Sequence, residues 1–210
     1  MEVHISWTRT GEFVKGRRLE DLLAGLPEEV QERALRYKRE SDGIDFVVGR
    51  LLLREALEAN GVEEGIKDIQ YNAKGKPFLG SVFFNISHTE DLVVCAISKD
   101  VEMGIDVEKR KRVDLKNFKD WFSEKEWNDI LTCGDSMKQF YWYWTRKESI
   151  IKAMGLDLSY LNQLEIDMDE DVVEVLGKEW ILDQLAFDEG YEAAICMENR
   201  AWVKYYFYRR

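Results

Sequence analysis

The helical segments of this chain come in two pairs, and the second pair repeats the layout of the first. When Pro27–Ala59 is laid over Ser123–Gly155, helix falls on helix and gap on gap, and DLVVCAIS echoes YEAAICME. Identities are few, so pattern carries the repeat, and a repeated unit of this kind predicts two similar halves. Strand-like runs flank each pair: EVHISW, IKDIQYNAKGKPF, VFFNISHTEDLVVCAIS and MGIDVE first, then LEIDMD, VVEVLG, YEAAICME and AWVKYYFYR. The expectation is an α+β fold of two packed halves, 1–103 and 104–210, with their junction as the natural cleft. Pro27 opens one helix with Glu28 and Glu29 in its first turn, where acids suit the helix dipole. A second helix spans roughly Asp45 to Asn60, stopped by Asn60-Gly61. No Pro/Ser-rich linker separates the halves, and the chain holds only two prolines, Pro27 and Pro77.

A hydrophobic fraction of 45% supplies a sizeable core and argues against disorder. The net charge of −11 argues against a general nucleic-acid-coating role. Cys95, Cys133 and Cys196 are far apart and form no metal-ligand spacing, and Cys95 and Cys196 read as buried thiols. The N-terminus lacks a signal-peptide pattern, and no apolar run approaches the ~18 residues needed to cross a bilayer. A soluble, cytoplasmic protein is expected.

Four stretches carry residues able to do chemistry. In GIDVEKRKRVD, Asp106 and Glu108 are two apart on a strand and so share one face. Two hard oxygen ligands suit Mg²⁺, and a solvated strand end is the plain alternative. In WTRKESIIKAMG, Glu148 and Lys152 are i and i+4 on a helix that the preceding FYWYW marks as buried over much of its circumference. Either they form a surface ion pair, or they need partners such as a metal and a phosphate. In NISHTED, Ser87 and His88 sit at a hairpin tip, where hydroxyl and imidazole can donate to an anion or simply face water. In NAKGKPF, Gly75 permits a tight turn between Lys74 and Lys76, and Pro77 stiffens the exit, as in a phosphate grip or an ordinary basic loop.

In this order the four stretches resemble the motif series of the 4′-phosphopantetheinyl transferases of the surfactin-synthetase-activating type: KGKP, NISHT, GIDVE and WTRKESIIK. The match spans about Lys74 to Gly155. The half-repeat agrees with that family's pseudo-dimeric monomer. The resemblance implies an enzyme that moves the 4′-phosphopantetheine arm of coenzyme A to a serine of an apo carrier protein (acyl, peptidyl or aryl), releasing adenosine 3′,5′-bisphosphate. It implies Asp106, Glu108 and Glu148 as ligands of Mg²⁺, with Mn²⁺ as the alternative ion. Glu148 becomes the base for the carrier serine, and Lys152 contacts the transferred phosphate, while the neighbouring Lys147 points elsewhere. Ser87 and His88 would bind the 3′-phosphate of coenzyme A, with Lys74, Lys76 and Pro77 framing the adenine and phosphates. The implied partners are coenzyme A and the carrier, with no nucleic acid and no membrane.

One departure stands out. The family places an arginine three residues after an aspartate here, but Asp42 is followed by Asp45, which should repel a phosphate. Either Arg36, Arg39 or Arg50 substitutes, or coenzyme A is held more weakly. The basic run Lys109, Arg110, Lys111 and Arg112 suggests a docking strip for an acidic carrier, or a solvated loop. Two rival readings remain: a Mg²⁺-dependent nuclease or phosphodiesterase, and a non-catalytic module that binds coenzyme A or a carrier.

Overall fold

The computed structural model describes residues 1–208. In chain order the regular elements are β1 (Glu2–Arg9), α1 (Thr10–Phe13), α2 (Leu19–Leu23), α3 (Glu28–Leu35) and α4 (Glu40–Ala59). The strands β2 (Gln70–Tyr71), β3 (Pro77–Phe78), β4 (Phe83–Thr89), β5 (Leu92–Ser98) and β6 (Met103–Lys109) follow. Then come α5 (Glu124–Thr132), α6 (Ser136–Met154), β7 (Val172–Val175), β8 (Lys178–Leu185), β9 (Tyr191–Met197) and β10 (Trp202–Phe207). Short 3₁₀ turns occupy Ile66–Asp68, Leu115–Trp121 and Leu158–Gln163. The chain forms two compact units: 1–73, 77–100 and 201–210 in one, 74–76 and 101–200 in the other.

The first unit is built on a sheet of order β10-β1-β5-β4. Its central strand β5 is buried along its whole length, as an apolar run covered on both faces must be. α4 lies against it, and Phe46, Val47, Leu51 and Leu53 join Phe84, Val93 and Cys95 in one apolar core. α4 begins at Glu40, five residues before the expected start, because Glu40 and Asp42 fill a first turn that apolar spacing does not reveal.

The second unit has the sheet order β6-β9-β8-β7, fully antiparallel. α6 packs on β6 and β9, and Phe140, Tyr143, Ile150 and Trp180 are among its core residues. Ser123 caps α5 in a capping box with Glu126. Cys95 and Cys196 are both buried, as their apolar surroundings predicted.

Four expectations differ from the structure. LEIDMD is not a strand; 164–170 runs as irregular chain and a turn. β8 is a strand the sequence reading passed over, its buried Trp180, Leu182 and Leu185 being unevenly spaced and separated by charged and polar residues. AWVKYYFYR, grouped by the sequence with the runs of the second half, belongs to the first: as β10 it returns to lie parallel to β1, Glu2 opposite Trp202. The cut at 103/104 therefore differs at the C-terminal strand, and Lys74–Lys76 group with the second unit. Finally, Ser87 and His88 are not at a hairpin tip, because β4 runs on through Thr89 and the turn falls on Glu90, with φ 46°.

Candidate active site

The chemistry of the second unit is set by how closely α6 lies on β6. Gly104 makes that approach possible. A Cβ there would stand 2.2 Å from both Ala153 N and Ser149 O, backbone atoms that cannot yield. Since side chains two apart share a strand face, the face that meets α6 at Gly104 carries Asp106 and Glu108 further along. Across from it, Glu148 and Lys152 lie one turn apart on α6. Gly155, in the left-handed conformation at φ 62°, ends the helix immediately beyond.

Lys152 Nζ donates to Asp106 Oδ1 at 2.6 Å. The Asp106 side chain is 5% exposed and that of Lys152 27%. Burial pushes the Glu148 carboxyl above its ordinary range, the Asp106 charge adds to the rise, and Lys152 opposes it. Two carboxylates and one ammonium thus face each other at a partly open position. Among the described residues, no three His, Cys, Asp or Glu side chains gather into a ready metal cage. Oxygen-only donors held as a mutually repelling pair nevertheless fit a hard divalent cation, since Mg²⁺ commonly takes one or two carboxylates and completes its shell with phosphate and water.

The neighbouring lysines divide by role. Lys76 Nζ pairs with Glu102 at 3.0 Å and also donates to Ala153 O at the end of α6. Lys74 lies 5.9 Å from the centre of the Tyr160 ring. Lys147 turns away from the site into a fully buried ion pair with Glu126 at 2.6 Å. Of the basic run, Lys109 lies 5.9 Å from the Tyr191 ring and Arg110 is 3.7 Å from Glu192, while Lys111 and Arg112 are exposed. The sequence reading missed both Gly104 and the Lys147–Glu126 pair. Ser123-x-x-Glu126, a capping-box spacing, was the available signal for the second.

In the first unit, Ser87 is buried and His88 exposed, as adjacent residues of one strand present opposite faces. Pro77 opens β3 opposite Tyr71. Asp45 is buried on α4, where its Oδ1 accepts a hydrogen bond from Thr10 Oγ1 at 2.6 Å. Burial lifts its carboxyl to about 6. Arg50 is buried as well, while Arg36 and Arg39 are exposed.

Two family models cover most of the chain. Residues 102–196 match the 4′-phosphopantetheinyl transferase superfamily, and residues 15–100 match 4′-phosphopantetheinyl transferase, N-terminal. The 4′-phosphopantetheinyl transferase HetI of Nostoc sp. is 33% identical over 197 residues, 88% of this chain and 83% of the relative. The 4′-phosphopantetheinyl transferase gsp of Aneurinibacillus migulanus is 34% identical over 155 residues, 71% of this chain and 65% of the relative. An L-aminoadipate-semialdehyde dehydrogenase-phosphopantetheinyl transferase of Mus musculus is 31% identical over 208 residues, 82% of this chain and 67% of the relative. With both halves matched and the Asp106–Lys152–Glu148 constellation between β6 and α6, the chain belongs to the 4′-phosphopantetheinyl transferase superfamily.

Proposed function

We propose that this chain transfers the 4′-phosphopantetheine arm of coenzyme A to a serine hydroxyl of an apo carrier protein. The serine oxygen forms a bond to the phosphorus of the arm, the pyrophosphate P–O bond breaks, and adenosine 3′,5′-bisphosphate leaves. The observation that carries this reading is Lys152 held at 2.6 Å from Asp106 beside Glu148, on a helix and strand pressed together at Gly104. Glu148 takes the serine proton, since an un-ionised hydroxyl is a poor nucleophile. Lys152 stabilises charge on the transferred phosphate. Asp106 orients Lys152 through their ion pair. Asp106 and Glu148, with Glu108 on the same strand face, would hold Mg²⁺, which supplies charge neutralisation to the pyrophosphate oxygens. Lys74, Lys76, Pro77, Ser87 and His88 are assigned to coenzyme A. Lys109, Arg110, Lys111 and Arg112 are assigned to the docking of an acidic carrier, with Lys111 and Arg112 as its outer positions. We place the enzyme in the cytoplasm as a monomer; among the described residues no helix is long and apolar enough to cross a membrane.

The test is to incubate the protein with coenzyme A, Mg²⁺ and several apo carriers and to weigh the carriers. A gain of one phosphopantetheine mass, abolished by chelation and by Glu148→Gln, is expected. Unmodified carriers throughout, or full activity in Glu148→Gln, would overturn the reading. Cleavage of bare DNA under the same conditions would favour the nuclease instead.

A further inference from the structure

The KGK turn carries two lysines, and the second of them is turned inward. The Lys76 side chain is 15% exposed. Residues 74–76 group with the second unit, where the Lys76 ammonium bridges a strand and a helix. It pairs with Glu102 Oε1 at 3.0 Å, on the residue just before β6, and it donates to the carbonyl of Ala153 in the last turn of α6. Glu102 is tied to the sheet in turn, because its carbonyl accepts from Glu198 N at 3.0 Å, just past the end of β9. Lys74 lies against the turn that follows α6, 5.9 Å from the centre of the Tyr160 ring.

The Ala153 carbonyl needs such a donor. The last carbonyls of a helix have no partner inside it. The chain reversal beyond α6 does not serve this one, since Gly155 N and Leu156 N both point back to Ile151 O. An ammonium here also suits the negative pole of the helix dipole. An ordinary loop lysine keeps its charge in water, whereas this one spends it on a carboxylate and a carbonyl from the two sides of the β6–α6 contact. The place of that contact matters. Gly104, two residues after Glu102, is where the backbone of β6 meets Ser149 and Ala153 of α6. Lys152, one residue before Ala153, lies 2.6 Å from Asp106, two residues after Gly104. Helix ends open at little cost unless something fastens them, and a lysine carried on the last turn opens with it.

We propose that Lys76 is a positioning residue: its ammonium clamps the start of β6 to the last turn of α6 and thereby fixes Lys152 against Asp106. The clamp stands on geometry alone, and its effect on rate rests on the transferase reading. The assignment of Lys76 to coenzyme A then concerns its backbone, and loss of the ammonium acts on turnover and not on affinity for coenzyme A.

Lys76→Met keeps the aliphatic stem and removes the ammonium, and Lys76→Arg keeps a cation with donors. Amide hydrogen exchange of the full chain without substrate is expected to be about tenfold faster at 152–155 in Lys76→Met, with β9 unchanged, and close to wild type in Lys76→Arg. Glu102→Gln, which weakens the clamp from the strand side, should accelerate the same segment less. The NMR signal of the Lys152 side chain should shift in Lys76→Met and stay in place in Lys76→Arg. With coenzyme A, Mg²⁺ and an apo carrier, Lys76→Met should lower kcat by about tenfold while KM for coenzyme A stays within about twofold, and Lys76→Arg should restore kcat. A raised KM at unchanged kcat would make the ammonium a coenzyme A ligand and overturn the proposal, as would unaltered exchange at 152–155 or an unmoved Lys152 signal. Faster local exchange in Lys76→Met, with no carrier modified even by the wild-type chain, keeps the clamp and refutes the transferase reading alone. Wild-type transfer with unaltered exchange in Lys76→Met refutes the clamp alone.

Discussion

Lys147→Met tests whether the frame behind Glu148 is held by a buried charge. Both Lys147 and Glu126 have side chains 0% exposed, and Lys147 Nζ lies 2.6 Å from Glu126 Oε2. The same ammonium donates to the carbonyls of Leu164 at 2.7 Å, Leu161 at 3.0 Å and Trp121 at 3.1 Å. Glu126 in turn accepts from Ser123 N at 2.8 Å and Ile166 N at 2.9 Å. One lysine therefore ties α6 to the two 3₁₀ turns and to the cap of α5. Burial pushes its pKa down, and Glu126 opposes that fall. Methionine fills the stem volume but leaves a carboxylate and three carbonyls without their cation. Breaking a buried pair from one side costs about 3–5 kcal/mol, a large part of a typical stability of about 5–15 kcal/mol. Urea unfolding of the variant at neutral pH measures it. Lys147→Met/Glu126→Gln removes both charges and should cost less than Lys147→Met alone, because no ion is then stranded. A single-variant loss under about 1 kcal/mol, or a double-variant loss equal to the sum of the two singles, would refute the reasoning.

Three further outcomes follow from the same geometry. Asp106→Asn and Glu148→Gln should each lower transfer by about 100-fold or more. Glu148→Gln should leave the melting temperature unchanged or higher, because it removes one of two like charges, whereas Asp106→Asn also loses the ion pair to Lys152 and should lower it; a Glu148→Gln chain that loses fold and activity in parallel would contradict this. Gly104→Ala should destabilise by about 1–3 kcal/mol or more, since its Cβ would stand 2.2 Å from Ser149 O and Ala153 N, and a melt indistinguishable from wild type would show that α6 does not lie where described. Burial lifts the Asp45 carboxyl from 3.8 to about 6, so the folded state holds that proton more tightly than the unfolded chain and stability falls as pH rises from about 4 to 6. Asp45→Asn should recover up to about 3 kcal/mol at pH 7 and nothing below pH 4, and urea midpoints at the two pH values decide it.

Much of this was legible because periodicity and motif agreed. The strand GIDVE and the helix WTRKESIIKAMG announced themselves by spacing, and two-residue alternation put Asp106 and Glu108 on one face. Two things resisted. Long-range pairing is not written in local pattern: β10 reads like any half-apolar strand, and nothing in its residues says that it lies parallel to β1, at the opposite end of the chain. Charges also mislead when burial reverses their meaning. Lys147 and Glu126 look like surface residues, yet each is satisfied by partners that only the folded chain supplies. β8 was passed over for the same reason, its lysine, glutamate and aspartate masking the inward Trp180 and Leu182.

The small residue in GIDVE decides more than the acidic ones beside it. Carboxylates two apart occur on many strands, and by themselves they imply only a polar edge. What turns Asp106 into part of a site is the distance to α6, and that distance is available because Gly104 has no Cβ. Close approach brings Lys152 to 2.6 Å from Asp106 and lets the Asp106 charge reach Glu148. Lys147, one residue earlier on the same helix, is drawn the other way and anchors that helix from behind. The helix is thus fixed from both sides, by a backbone contact in front and a buried ion pair at the rear. A phosphoryl-transfer site needs such rigidity, because misplacing a catalytic group by about 1 Å can cost on the order of 100-fold in rate.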